Sequence, residues 1–128
     1  MDTPIEQYEA VRAAVQDYVQ ACLAADGRAL RDALHPRWTM YGIDANAIDA
    51  GASVDDFVAW VSEQAPPAGF RSTITHLEIA GDAAVATLVE ESYYDTDYVT
   101  FFTLVRYDGV WEIVTKTYSQ VPPVVTLP

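Results

Sequence analysis

Residues 71–120 read RSTITHLEIA, GD, AAVATLVEESYY, DTD, YVTFFTLVRY, DG, VWEIVTKTYSQ, and this stretch decides the fold. Four runs rich in Val, Ile, Thr, Phe and Tyr are joined by three short breaks built from Gly and Asp. Runs of that composition are strands, and breaks of that kind are hairpin turns. Consecutive hairpins make an antiparallel sheet, because parallel neighbours need a long crossover. Side chains alternate between faces along a strand. In the second run Ala84, Ala86, Leu88, Glu90 and Ser92 share a face, and its small apolar members assign that face to the interior. In the first run Ile74, His76, Glu78 and Ala80 oppose Thr73, Thr75, Leu77 and Ile79. The third run is apolar on both sides, with Phe101, Thr103 and Val105 against Phe102 and Leu104. Such a sheet needs cover on both faces. Helices can cover only one, so the outer face is expected to meet a second copy of the chain in a homodimer.

The helices lie upstream. Thr3-Pro4-Ile5-Glu6 combines an N-cap, a proline at the first helical position and a capping-box glutamate. Tyr8, Val11, Val15, Tyr18, Val19 and Cys22 follow at three- and four-residue steps, which predicts one buried helical face. Ala25-Asp26-Gly27 breaks that helix and opens a shorter one, Arg28 to Leu34, stopped by Pro36. Arg37 to Tyr41 reads as a short strand, and Gly42 to Gly51 as a hairpin-like excursion at the mouth of the domain. Ser53-Val54-Asp55-Asp56 is a second capping signature, and Phe57, Val58, Trp60 and Val61 give the third helix its apolar side before Pro66 and Pro67 end it. Residues 1–120 are expected to form a single domain, with 121–128 an extended Pro-rich tail.

Composition narrows the function. The chain has 128 residues, 51% hydrophobic and 12% aromatic, enough for one packed core. Cys22 is the single cysteine, so no internal disulfide forms and nothing points to an oxidising compartment. Met1 to Glu9 reads as helix rather than as a leader, and apolar runs fall far short of the ~20 residues of a membrane span. A cytoplasmic location is expected. Nineteen acidic residues against seven basic ones give a net charge of −12, which excludes nucleic acid and anionic membranes as natural partners. Neither a phosphate-cradling G-x-x-x-x-G-K-[ST] nor a nucleophile elbow G-x-S-x-G is present, and no third ligand stands at metal spacing beside His35 and His76. No metal and no cofactor is expected.

Three sets of residues carry a family resemblance. The first is Val15-Gln16-Asp17-Tyr18-Val19, followed by Ala25-Asp26-Gly27 and Ala33-Leu34-His35-Pro36. The second is Ile79-Ala80-Gly81-Asp82-Ala83-Ala84-Val85-Ala86, and the third joins Phe101-Phe102-Thr103-Leu104-Val105-Arg106 to Asp108-Gly109-Val110-Trp111-Glu112-Ile113-Val114-Thr115-Lys116. From about Tyr8 to Ser119 the chain resembles the nuclear transport factor 2-like superfamily. Within it the chain looks most like the branch described as putative lumazine-binding, near the SnoaL-like polyketide cyclases. The resemblance implies an α+β fold in which three N-terminal helices pack on a strongly curved, mainly antiparallel sheet, a cone with a central pocket. Ketosteroid isomerase shares that fold and uses an aspartate base beside an oxyanion hole of tyrosine and protonated aspartate. Tyr18 matches the oxyanion tyrosine. The base falls at or beside Gly42 and Ile43, and the partner aspartate near Thr100. None of these can take a carbon-bound proton or donate as a neutral acid, so that mechanism is not expected.

Glu90 is the candidate replacement. Pairing through Asp95-Thr96-Asp97 brings it near Thr100 and Phe101, and desolvation among Tyr18, Trp38 and Phe102 would suit it to the work of a general base. The alternative is a rim position in water. His35 either meets the carbonyls at a helix end or acts as a second candidate base. His76 can point into the cone or out of it. Trp38, Met40, Trp60 and Phe70 read as core, some of them lining the pocket. Lys116 interrupts an apolar strand, and a salt bridge to Glu90 or Glu112 would explain it. Three functions follow. The pocket could hold a small apolar or aromatic ligand between Tyr18, Trp38, Met40, Trp60, Glu90, Thr100 and Phe102. It could instead belong to an enzyme of polyketide-cyclase or isomerase type, with Glu90 or His35 removing a proton next to a carbonyl and Tyr18 holding the enolate oxygen. Or the domain could serve dimerisation without a ligand.

Overall fold

The local signals place the helices within a residue or two. In the computed structural model, which describes residues 2–44 and 47–121, Thr3 accepts a hydrogen bond from the Glu6 N–H at 3.2 Å and opens α1, Pro4–Leu23. Its buried face runs through Val11, Val15, Tyr18, Val19, Ala21 and Cys22. Tyr8 does not join it and stays 42% exposed. Asp26 accepts from the Ala29 N–H at 3.1 Å and caps α2, Gly27–Ala33. That helix stops one residue early because Leu34 is already extended, at φ −109° and ψ 142°. Ser53 and Asp56 form a reciprocal capping box for α3, Val54–Ser62.

Six strands follow one sheet in the order β2-β1-β6-β5-β4-β3, with β1 Leu34–Asp44, β2 Ala47–Ser53, β3 Arg71–Ala80, β4 Ala83–Tyr93, β5 Thr96–Tyr107 and β6 Val110–Gln120. The hairpins β3–β4, β4–β5 and β5–β6 are antiparallel as their turns demand. The join between β1 and β6 is parallel. It links the first and last strands of the fold across the whole intervening chain, which no local turn signal could announce. β1 begins three residues before Arg37, taking in His35 and Pro36. Its ladder to β6 lapses between Leu34 and Thr39, where Pro36 has no N–H to give. The excursion after Gly42 is the β1–β2 hairpin, whose residues 45 and 46 lie outside the described residues, as does the tail beyond Val121.

Bulges decide which side chains reach the interior, since each extra residue bends its strand and resets the alternation. In β3 the register jumps at Thr75, so Ile74 and Leu77 both face the helices while His76 and Glu78 face outward, against the strict alternation the sequence suggests. In β6 the pairs Thr103–Thr115 and Leu104–Ile113 leave Val114 unpaired. Ile113 and Lys116 therefore sit on the same, concave face. In β4 and β5, Ala84, Ala86, Leu88, Glu90, Thr100, Phe102 and Leu104 are buried, which puts Glu90 inside rather than at a rim in water, while Phe101 on the outer face is 53% exposed. The concave face and the three helices enclose one core that includes Val11, Val15, Leu30, Trp38, Val61, Phe102 and Ile113. Among the described residues no helix is long and apolar enough to cross a membrane.

Leu30, fully buried on α2, tests this packing. Leu30→Ala should cost about 2–5 kcal/mol in urea denaturation, the range for a leucine side chain removed from a packed core.

Candidate functional site

Helices and sheet do not close completely on one another. A cavity of about 450 Å³ lies between α3, the β1–β2 hairpin and the concave face of β4, β5 and β6. Met40, Phe57, Trp60, Tyr93, Tyr94, Tyr98 and Tyr118 supply most of its wall. Trp60 lines it yet remains 43% exposed, which marks the mouth. The aromatic rings brace one another edge to face: Tyr93 lies 4.8 Å from Tyr94 and 5.4 Å from Phe70, and Tyr98 lies 5.4 Å from Tyr118. The β4–β5 turn holds Tyr94 and Asp95 in the left-handed region, at φ 50° and 65°. The Tyr94 hydroxyl donates to the Ala65 carbonyl at 2.6 Å, fastening that turn to the chain after α3.

Three polar side chains are buried in this apolar wall: Glu90, Thr100 and Lys116. Glu90 stands opposite Tyr98 in the ladder, and the Thr100 hydroxyl reaches diagonally across to donate to its carboxylate. Lys116 is 6% exposed, and its Nζ donates to the Tyr18 hydroxyl oxygen at 2.7 Å. The same nitrogen lies over the rings of Phe57 at 4.6 Å, Tyr118 at 5.2 Å and Tyr18 at 5.4 Å. Among the described residues no carboxylate comes within ion-pair distance of it, so the salt bridge to Glu90 or Glu112 is not made. The Val114 bulge is the reason in the case of Glu112, which pairs with Val105 on the other side of the sheet. Aromatic faces and a phenol oxygen take the place of a counter-ion.

Burial pushes the Tyr18 phenol well above its usual range, and the neighbouring Cys22 and Glu90 add to the shift. Tyr18 therefore keeps its proton and can donate it while accepting from Lys116. Burial also pushes the Cys22 thiol up to about 11 and the Tyr93 phenol far upward. Cys22 is accordingly a packed thiol rather than a nucleophile.

Of the sequence candidates, Met40, Trp60, Glu90 and Thr100 lie on the cavity wall. Tyr18, Trp38 and Phe102 form the layer beneath, each about 1% exposed, with Tyr18 5.0 Å from Phe102 and Trp38 5.3 Å from Phe57. Tyr18 meets the cavity wall through Lys116 and through the Phe57 ring, on which it stacks at 6.4 Å. His35 stands apart from the wall; its Nδ1 accepts the Arg37 N–H at 3.0 Å, a local turn contact rather than a helix cap. His76 faces outward toward Glu78 at 3.7 Å. Gly42, the position matched to the isomerase base, is covered by Tyr118, and even a methyl group there would lie 2.4 Å from that ring. Sequence reasoning passed over Tyr93, Tyr94, Tyr98, Tyr118 and the role of Lys116. Tyr93, Tyr94 and Tyr98 crowd about the β4–β5 turn in SYYDTDY, which was a legible signal, whereas Tyr118 stands apart on β6.

The pattern of the family described as putative lumazine-binding matches residues 6–119. Aldolase FrzH from Cladobotryum sp is 29% identical over 121 residues, covering 91% of this chain and 93% of that protein. Among solved structures, a nuclear transport factor 2-like protein of unknown function from Shewanella baltica superposes with a TM-score of 0.86 at 23% identity, covering 95% of this chain and 99% of that one. Another of unknown function, from Methylobacillus flagellatus, gives a TM-score of 0.87 at 22% identity over 94% and 97% of the two chains. The structural likenesses carry the fold alone.

The raised Cys22 value fixes a pH dependence. The folded thiol holds its proton more tightly than the unfolded one, so its effect on stability is absent below the ordinary value of 9.0 and grows as pH rises toward 11. Over that window the fold should lose about 2–3 kcal/mol from this group. Urea midpoints measured across the window should fall, and the fall should be shallower in Cys22→Ala.

Proposed function

This chain belongs to the family described as putative lumazine-binding, of nuclear transport factor 2-like fold, and from that membership we propose that its cavity binds one small, flat, largely apolar molecule bearing a carbonyl group. The observation that carries this reading is the burial of Glu90, Thr100 and Lys116 in a wall built largely of aromatic rings. Such a wall selects a flat apolar body, and a few fixed polar groups orient it. The volume of about 450 Å³ is in the range of small-molecule sites. Lys116 offers donors to a carbonyl or enolate oxygen, and Glu90 offers an acceptor to an N–H or O–H.

A second reading makes the site an enzyme that moves a proton next to that carbonyl, as polyketide cyclases and isomerases do. Glu90 is the base, steadied by Thr100, and the Lys116–Tyr18 pair holds the oxygen on which charge develops. The relative named an aldolase favours it, since aldol chemistry begins with loss of a proton next to a carbonyl. His35 lies outside the cavity and has no part in this scheme. The protein acts as a homodimer through the outer sheet face, where Val85 and Phe101 are exposed. It works in the cytoplasm without nucleic acid, membrane, metal or cofactor.

Titration with lumazine and with aryl ketones should quench Trp60, while Trp38 and Trp111 are buried. Trp60→Phe should remove the signal. Glu90→Gln should weaken binding by about tenfold or more, as loss of a charged hydrogen-bond partner does, and should lower any turnover by about 10²–10⁴. Unaltered binding and turnover in Glu90→Gln would remove Glu90 from both readings. Sedimentation should show a dimer that Phe101→Glu converts to monomer with the cavity still competent, and a wild-type monomer at high concentration would end the dimer proposal.

A further inference from the structure

Lys116 is the only lysine in the 128 residues; the other six of the seven basic side chains are arginines. Lysine is ordinarily a surface residue and almost never fully buried unless paired. Here the chain's single ε-amine sits at 6% exposure on a cavity wall, held by three aromatic rings and a phenol. A role in charge alone would suit arginine equally, and arginine stacks on aromatic faces at least as well. What arginine does not supply at neutral pH is an amine nitrogen that can lose its proton and form a Schiff base with a simple ketone or aldehyde.

We propose that Lys116 captures a ketone or aldehyde in the cavity as a protonated Schiff base. This rests on the reading that the cavity takes a carbonyl compound. One ammonium proton passes from Nζ to the carbonyl oxygen, and the lone pair it frees forms a bond to the carbonyl carbon as the C=O π pair moves onto oxygen. A second ammonium proton follows to that oxygen, while the Tyr18 hydroxyl, 2.7 Å from Nζ, keeps the nitrogen directed at the carbonyl carbon. The C–O bond breaks, water leaves, and the nitrogen pair closes C=N. Ammonium plus carbonyl has become iminium plus water, with no oxidant or reductant involved. The iminium carries the same charge on the same nitrogen, so Phe57, Tyr118 and Tyr18 hold it as they hold the ammonium. Glu90 on the cavity wall then removes a proton next to C=N, and the electron pair runs to nitrogen as an enamine, the carbon nucleophile that an aldol addition uses.

The probe is 1-phenylbutane-1,3-dione, a flat aryl diketone whose condensation with an amine gives a conjugated product with its own near-ultraviolet band. Wild-type protein should develop that band at one equivalent. The conjugated product survives without reduction, so peptide mass spectrometry at neutral pH should place the adduct on Lys116, at least about tenfold above the N-terminal amine. Lys116→Arg should lose band and adduct. Tyr18→Phe, which keeps the amine, should reach the same final adduct about tenfold more slowly. Quenching of Trp60 by the diketone with no Lys116 adduct would overturn the Schiff base and leave the binding reading standing. Neither quenching nor adduct would remove the carbonyl pocket and the Schiff base together.

Discussion

The contact between Lys116 and the rings of Phe57, Tyr18 and Tyr118 is the constraint around which the interior is arranged. A cation taken from water into an apolar interior is unfavourable unless something replaces its solvation. Here α1 supplies Tyr18, α3 supplies Phe57 and β6 itself supplies Tyr118. One nitrogen thereby joins two helices to the last strand, and the polar and packing requirements of the core are met at one point.

The fold was legible because its signals are local. Caps at Thr3, Asp26 and Ser53, breaks at Gly81-Asp82 and Asp108-Gly109, and the small inward set Ala84, Ala86 and Leu88 each act within a few residues of where they are read. The candidate site was legible in part. Glu90 and Thr100 were paired from hairpin logic, and they meet. The rest depended on events that a strict two-residue period does not contain. The Thr75 bulge turns His76 out, the Val114 bulge turns Lys116 in, and the first-to-last pairing of β1 with β6 lays Tyr118 over Gly42. The cavity wall took Tyr93, Tyr94 and Tyr98 from the β4–β5 hairpin, whose clustering in sequence outlined the pocket better than the core aromatics Trp38 and Phe102 did.

The lack of a carboxylate at the position matched to the isomerase base has a steric counterpart in the fold. At Gly42 the missing side chain is the space that Tyr118 occupies, and Tyr118 is one of the rings around Lys116. A carboxylate at position 42 and the aromatic cage of the lysine therefore compete for the same volume. Within one fold, the base on the first strand and the caged amine on the last are alternatives, which is how a common scaffold carries different chemistries on its walls.

The Val114 bulge has a consequence for how such a site is inherited and lost. The face that Lys116 presents is set by how many residues separate it from Ile113, and by none of their identities. Removing one residue there would leave every group of the cavity encoded while delivering the amine to the outside of the sheet. In this strand, reading frame along the backbone is itself a functional property. Two chains with the same cavity residues in the same order, but one residue more or fewer between Ile113 and Lys116, would thus differ in whether they possess the site at all.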